Sequence, residues 1–143
     1  MKIERLNDTD YNVYYYRNII DEKSLYKDIK ELIKQIQKKL KLNGFYKVIA
    51  INKKIGLFLE LKRLEDAFYK NTLDLKIEIK EDNIYYKTTD YFIIKDMPNI
   101  RYKDGMYYCI VDDSFDKILE KVEFGEFIFG DGELSLIDNF EVI

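Results

Sequence analysis

The spacing of apolar positions changes several times along this chain, and each change predicts an element. Leu25, Ile29, Leu32, Ile33, Ile36 and Leu40 recur at helical intervals and fall within an arc of about 100°. The residues between them are strong helix formers, with no Gly, Pro, Val or Thr. The pattern predicts one long amphipathic helix over Glu22–Leu42, about 31 Å long. Asp21 can cap its start by accepting from open N–H groups of the first turn, and Asn43-Gly44 is a stop signal. An apolar face of this size needs a sheet to lie on.

The flanking segments alternate with period two. Residues 2–6 and 11–17 read as strands joined by the turn Asn7-Asp8-Thr9-Asp10. Phe45–Asn52 and Leu57–Leu61 read as a hairpin turned at Lys53-Lys54-Ile55-Gly56. A connection, with a helical turn at 64–68, leads to the cleanest alternation in the chain. There Leu73, Leu75, Ile77 and Ile79 oppose Asp74, Lys76, Glu78 and Lys80, the signature of a half-buried antiparallel strand. Ile84–Lys87 and Tyr91–Ile94 read as further strands, the latter ended by Met97-Pro98-Asn99. Asp104-Gly105 between Ile100–Tyr102 and Met106–Val111 is the strongest hairpin signal, because it suits a turn needing positive φ. Phe115, Ile118, Leu119 and Val122 predict a short second helix over 113–123, and 127–129 with 134–137 read as a closing hairpin. The fold class is therefore α+β: antiparallel sheet or sheets with one long helix and one short one. The chain forms one compact unit, 1–143, or two small subdomains, 1–63 and 73–143.

Charge changes the reading of the long helix. Lys23, Lys27, Lys30, Lys34, Lys38 and Lys41 occupy the face opposite its apolar stripe. Over 22–42 seven lysines meet Glu22, Asp28 and Glu31, a net of +4, whereas the chain as a whole is −3. From Val111 onward ten acids meet two lysines. The lysine face is either the solvated side of an amphipathic helix or a surface for an anionic partner, nucleic acid or an acidic protein. No Arg lies on it, although Arg is the better reader of phosphates and bases. Tyr14 and Tyr16, near Arg17, are the candidate partner-binding aromatics.

Composition excludes more than it supplies. The 143 residues suit one compact domain or two very small ones, and 47% apolar with 36% charged residues is a globular composition. With no His there can be no His-based triad or zinc site, and the single Cys109 permits no intramolecular disulfide or thiolate cluster. Its position in the run Tyr107–Val111 suits a buried strand residue and a cytoplasmic chain. Gly130-Asp131-Gly132 lacks the Lys and the following helix of a phosphate loop. Asp112, Asp113 and Asp116 lack calcium-loop spacing and suit a helix cap. No catalytic residue, metal ligand or cofactor site is expected. No apolar run is long enough for a membrane span.

Residues 1–63 resemble the N-terminal domain of the MecA family of adaptor proteins. The similarity is carried by Met1-Lys2-Ile3-Glu4-Arg5-Leu6-Asn7, the strand around Tyr11–Tyr16, Ile20-Asp21-Glu22-Lys23 and the long helix. It resumes at Asn43–Ala50 and Ile55–Leu59. Ile100–Tyr108 is similar to a Tyr- and Lys-rich hairpin of the family's C-terminal domain. The linker here is at most nine residues, shorter than is usual in the family, and strand-like sequence replaces the helix before that hairpin. The resemblance implies a non-enzymatic regulatory adaptor. One surface would hold a target protein, and another would present it to a Clp-type ATPase for unfolding.

Overall fold

The computed structural model describes residues 1–15, 21–64, 72–111, 125–129 and 134–143. They form two units, Met1–Glu81 and Asp82–Ile143. Both are antiparallel sheets with helices, except for one parallel strand pair. The chain is thus α+β, as the alternation predicts. Among the described residues no helix is long and apolar enough to cross a membrane.

The first unit runs β1 (Lys2–Arg5), β2 (Tyr11–Tyr15), α1 (Leu25–Leu40), β3 (Gly44–Lys53), β4 (Gly56–Arg63) and β5 (Leu73–Ile79). Its sheet has the order β1-β2-β4-β3-β5. The β1–β2 turn is made by Asn7, whose Oδ1 accepts from the N–H groups of Thr9 and Asp10, each at 2.9 Å. Such side-chain bonding lets Asn replace a backbone turn. A 3₁₀ turn, Glu22–Ser24, leads into α1. Asp21 caps this turn rather than α1, accepting from the Lys23 N–H at 3.0 Å; the N-cap of α1 itself is Ser24, which makes no side-chain cap hydrogen bond. The helix ends earlier than Gly44: Lys41 takes the left-handed conformation at φ 53° and donates its N–H to the Gln37 carbonyl. Gly44, at φ 95°, instead opens β3, where a Cβ would meet Arg63 Nε at 3.1 Å.

Leu25, Ile29, Leu32, Ile33 and Ile36 are buried against the sheet. They share a core with Val13, Val48, Ala50, Leu57, Leu59 and Leu61, and the apolar side chains of β5 pack at its margin. At roughly 1.5–3 kcal/mol per buried Leu or Ile, this interface dominates the unit's favourable energy. The other face of the sheet is also apolar at its centre, since Tyr14, Ile49, Ile51 and Phe58 are buried.

β5 does not pair antiparallel, as its alternation suggested. It runs parallel to β3, with Val48 beside Ile77. Alternation reports which residues share a face, and both pairings satisfy it. Parallel neighbours ordinarily need a long crossover, but here β4 supplies the return stroke. The chain goes out on β3, back on β4 and out again on β5. The subdomain boundary at 63/73 therefore moves to 81/82.

The second unit contains β6 (Tyr85–Thr88), α2 (Tyr91–Ile94), β7 (Arg101–Lys103), β8 (Met106–Ile110), β9 (Gly125–Ile128), α3 (Leu134–Ile137) and β10 (Glu141–Val142). Its sheet order is β10-β7-β8-β6-β9. Asp104 (φ 51°) and Gly105 (φ 81°) make the β7–β8 turn with both central residues left-handed, as that dipeptide predicts. Two expected strands are helical instead. Asp90 Oδ1 accepts from the Phe92 N–H at 3.0 Å and caps α2. Leu134–Ile137 forms α3, which brings Ile137 into a cluster with Tyr85 and Tyr108. The helix expected over 113–123 lies outside the described residues, as do Asp112, Asp113, Asp116 and Gly130-Asp131-Gly132.

Candidate interaction surface

The long helix presents its lysines as its sequence implies. Lys23, Lys27, Lys30, Lys34, Lys38 and Lys41 are all exposed. The apolar face of α1 is sealed on the sheet, so the basic face points to water by geometry alone. Lys23 to Lys41 spans about 27 Å along the axis. None of the six makes an ion pair with a described carboxylate; the described pairs are Arg5–Asp8, Lys47–Glu78 and Lys76–Glu78. Asp28, on the same helix, is occupied at the N-terminal end, where its Oδ2 accepts from Ser24 Oγ at 2.8 Å. The face can therefore form charge-assisted hydrogen bonds to an anionic partner without first breaking an ion pair to a described carboxylate.

Tyr14 is not on a surface, which corrects its reading as a partner-binding aromatic. It is 3% exposed, donates its hydroxyl to the Ile55 carbonyl at 2.8 Å and stacks on Phe58 with ring centroids 4.7 Å apart. Both faces of β2 are covered at this point, so either alternation phase would have buried it. Tyr16 and Arg17 lie outside the described residues.

At the β1–β2 end of the first unit, Asp10 forms a polar corner. Its carboxylate accepts from Asn7 Nδ2, Thr9 Oγ1 and the Arg63 backbone N–H at 2.9–3.0 Å. Burial pushes its pKa up, but the hydrogen bonds from Asn7, Arg63 and Thr9 together with the Lys62 charge outweigh it and hold the carboxyl below its ordinary value. The Tyr46 hydroxyl donates to the Thr9 carbonyl at 2.9 Å, and burial raises its pKa. These bonds tie the turn to the end of β4 and are fully used in doing so.

The second unit carries an open groove of about 450 Å³ lined by Tyr102, Lys103, Asp104, Leu136, Asn139, Phe140 and Glu141. Lys103 Nζ lies 4.8 Å from the centre of the Phe140 ring, a cation–π contact. Arg101 Nη1 donates to the carbonyls of Asp138 (2.7 Å) and Phe140 (3.3 Å), which fixes the groove wall. Periodicity could not find this feature, since it depends on α3 and β10 folding back on β7. Cys109 is buried within β8. Among the described residues no three His, Cys, Asp or Glu side chains converge.

No protein-family model matches this chain, and neither a curated protein nor a solved structure does.

Proposed function

We propose that this chain is a non-enzymatic protein–protein interaction module whose α1 lysine face docks an acidic segment of a protein partner. One observation carries the reading: six exposed lysines on one side of a helix, none paired to a described carboxylate. Lysine ammonium groups are compact, strongly hydrated point charges on flexible stems. They suit a diffuse acidic surface, whereas planar two-point recognition of phosphates or bases favours Arg. The resemblance of residues 1–63 to MecA adaptors supplies the second half of the proposal: the bound target is presented to a Clp-type ATPase. Presentation of this kind works by raising effective concentration and needs no chemistry on the adaptor.

The test is a capture experiment with a trapped Clp ATPase, run with wild-type chain and with Lys30, Lys34 and Lys38 changed to Glu. The wild type retains a protein partner, and the triple variant loses it while keeping its fold. Recovery of no partner by the wild type, or equal recovery by both, rejects the proposal. The competing occupant is nucleic acid or another polyanion. It predicts instead DNA or RNA binding whose affinity falls steeply with salt, by about one power of salt per lysine engaged.

A further inference from the structure

β5 is an edge strand: among the described residues its one strand partner is β3. The Thr72 carbonyl accepts from the Gly44 N–H at 2.8 Å, and the Lys80 N–H donates to the Ala50 carbonyl at 2.9 Å. Even-numbered residues thus turn their backbone groups toward β3. Backbone groups alternate in direction along a strand, so those of Leu73, Leu75, Ile77 and Ile79 point away from the sheet. The side chains of these four are half-buried at the margin of the α1 core. Asp74, Lys76 and Glu78 lie on the other face, followed in the same phase by Lys80.

The charge order on that face, acid–base–acid–base, has all four of its members matched in one register. An antiparallel copy related by a two-fold axis through Ile77 sets Lys76 opposite Glu78 and Asp74 opposite Lys80, each reciprocated. Leu75 then meets Ile79, and Ile77 meets itself. An axis at Lys76 would instead face Lys76 with Lys76 and Asp74 with Glu78. An axis at Leu75 keeps only the Asp74–Lys76 match. The Ile77 axis also brings outward-pointing backbone groups together at 75, 77 and 79, enough for about six inter-chain hydrogen bonds.

We infer that β5 is a homotypic docking edge, at which a second copy of this chain adds its own β5 antiparallel about Ile77. Two five-stranded sheets become one continuous sheet, and the β5 edge of each copy is covered. The contact is isologous, so it closes at two chains. It uses none of the lysines on α1 and stands or falls apart from the partner-docking reading.

Sedimentation velocity on the full chain at roughly 1–100 μM tests this, spanning the range of moderate affinities. The expected result is a concentration-dependent rise to twice the 17.3 kDa chain mass. Lys76→Glu places like charges opposite each other and weakens the dimer about tenfold or more. Adding Glu78→Lys to that variant restores it, because the swapped pair again faces opposite charge across the axis. Asp74→Lys alone likewise weakens the dimer by setting Lys against Lys80, and adding Lys80→Glu restores that outer pair. Far-UV circular dichroism and thermal melting of each variant report its fold. A chain that stays monomeric at 100 μM overturns the inference. So does a dimer indifferent to Lys76→Glu, or one lost in Lys76→Glu and not recovered when Glu78→Lys is added.

Discussion

Alkaline titration probes the interior of the second unit through two adjacent tyrosines. Tyr85 and Tyr86 point to opposite faces of β6 and are 3% and 0% exposed. Burial, then the 2.8 Å hydrogen bond from the Tyr85 hydroxyl to Asp138 Oδ1, then the Asp138 charge push the Tyr85 pKa up to about 12. Burial, aided by Cys109, pushes Tyr86 up to about 12. An unfolded tyrosine titrates near 10. The folded values lie above the unfolded one, so the neutral phenols contribute stability that is fully present below pH 10. That stability is lost as pH rises toward 12. A shift of two units corresponds to about 2.7 kcal/mol per tyrosine, so the pair can withdraw about 5 kcal/mol. That matches the whole stability of a marginal domain. Urea midpoints followed by circular dichroism from pH 8 to 12, beside absorbance at 295 nm, measure it. The midpoint should hold to about pH 9.5 and then fall. Tyr86→Phe should remove about half of the fall. Asp138→Asn should make it shallower by releasing Tyr85 from a neighbouring negative charge. A wild-type midpoint flat to pH 12, or a Tyr86→Phe curve parallel to wild type above pH 10, would refute the reasoning.

Three further outcomes are expected. Ile33→Ala in α1 removes a fully buried side chain and should cost about 2–5 kcal/mol in chemical denaturation. Gly56 sits at φ 152°, where a Cβ would collide with the Tyr15 carbonyl and lie 2.7 Å from Tyr14 Cε2; Gly56→Ala should lower thermal stability by about 1–3 kcal/mol. Tyr14→Phe leaves the Ile55 carbonyl without its hydroxyl donor and should cost about 1 kcal/mol in urea. Partner capture should stay unchanged, because the ring is internal.

Where a segment's period is long and its neighbours are local, residues alone foretold the structure. The apolar stripe of α1, the β3–β4 hairpin and the Asp104-Gly105 turn all follow from contacts a few residues apart. Tyr91–Ile94 and Leu134–Ile137 defeated the pattern because a run of four residues is too short to fix a period, and the Asp90 cap decides the first of them. The parallel register of β5 rests on β3, almost thirty positions earlier, and no local pattern encodes a partner. β10 is two residues long and exists through its pairing with β7. For the candidate surface, the exposure of the six lysines was legible from helical phase. The burial of Tyr14 was not, since alternation assumes one wet face and the sheet centre has none.

The position of β5 beside β3 also sets a sequence of events during folding. β3 and β4 are consecutive and turn through Lys53-Lys54-Ile55-Gly56, so they close a small loop at little entropic cost. β5 has no place to dock until β3 is laid down, and it must bring its chain past a neighbour to arrive there. Its amides should gain protection last on refolding and lose it first near the native state, while those shared by β3 and β4 exchange only with the unit's global opening.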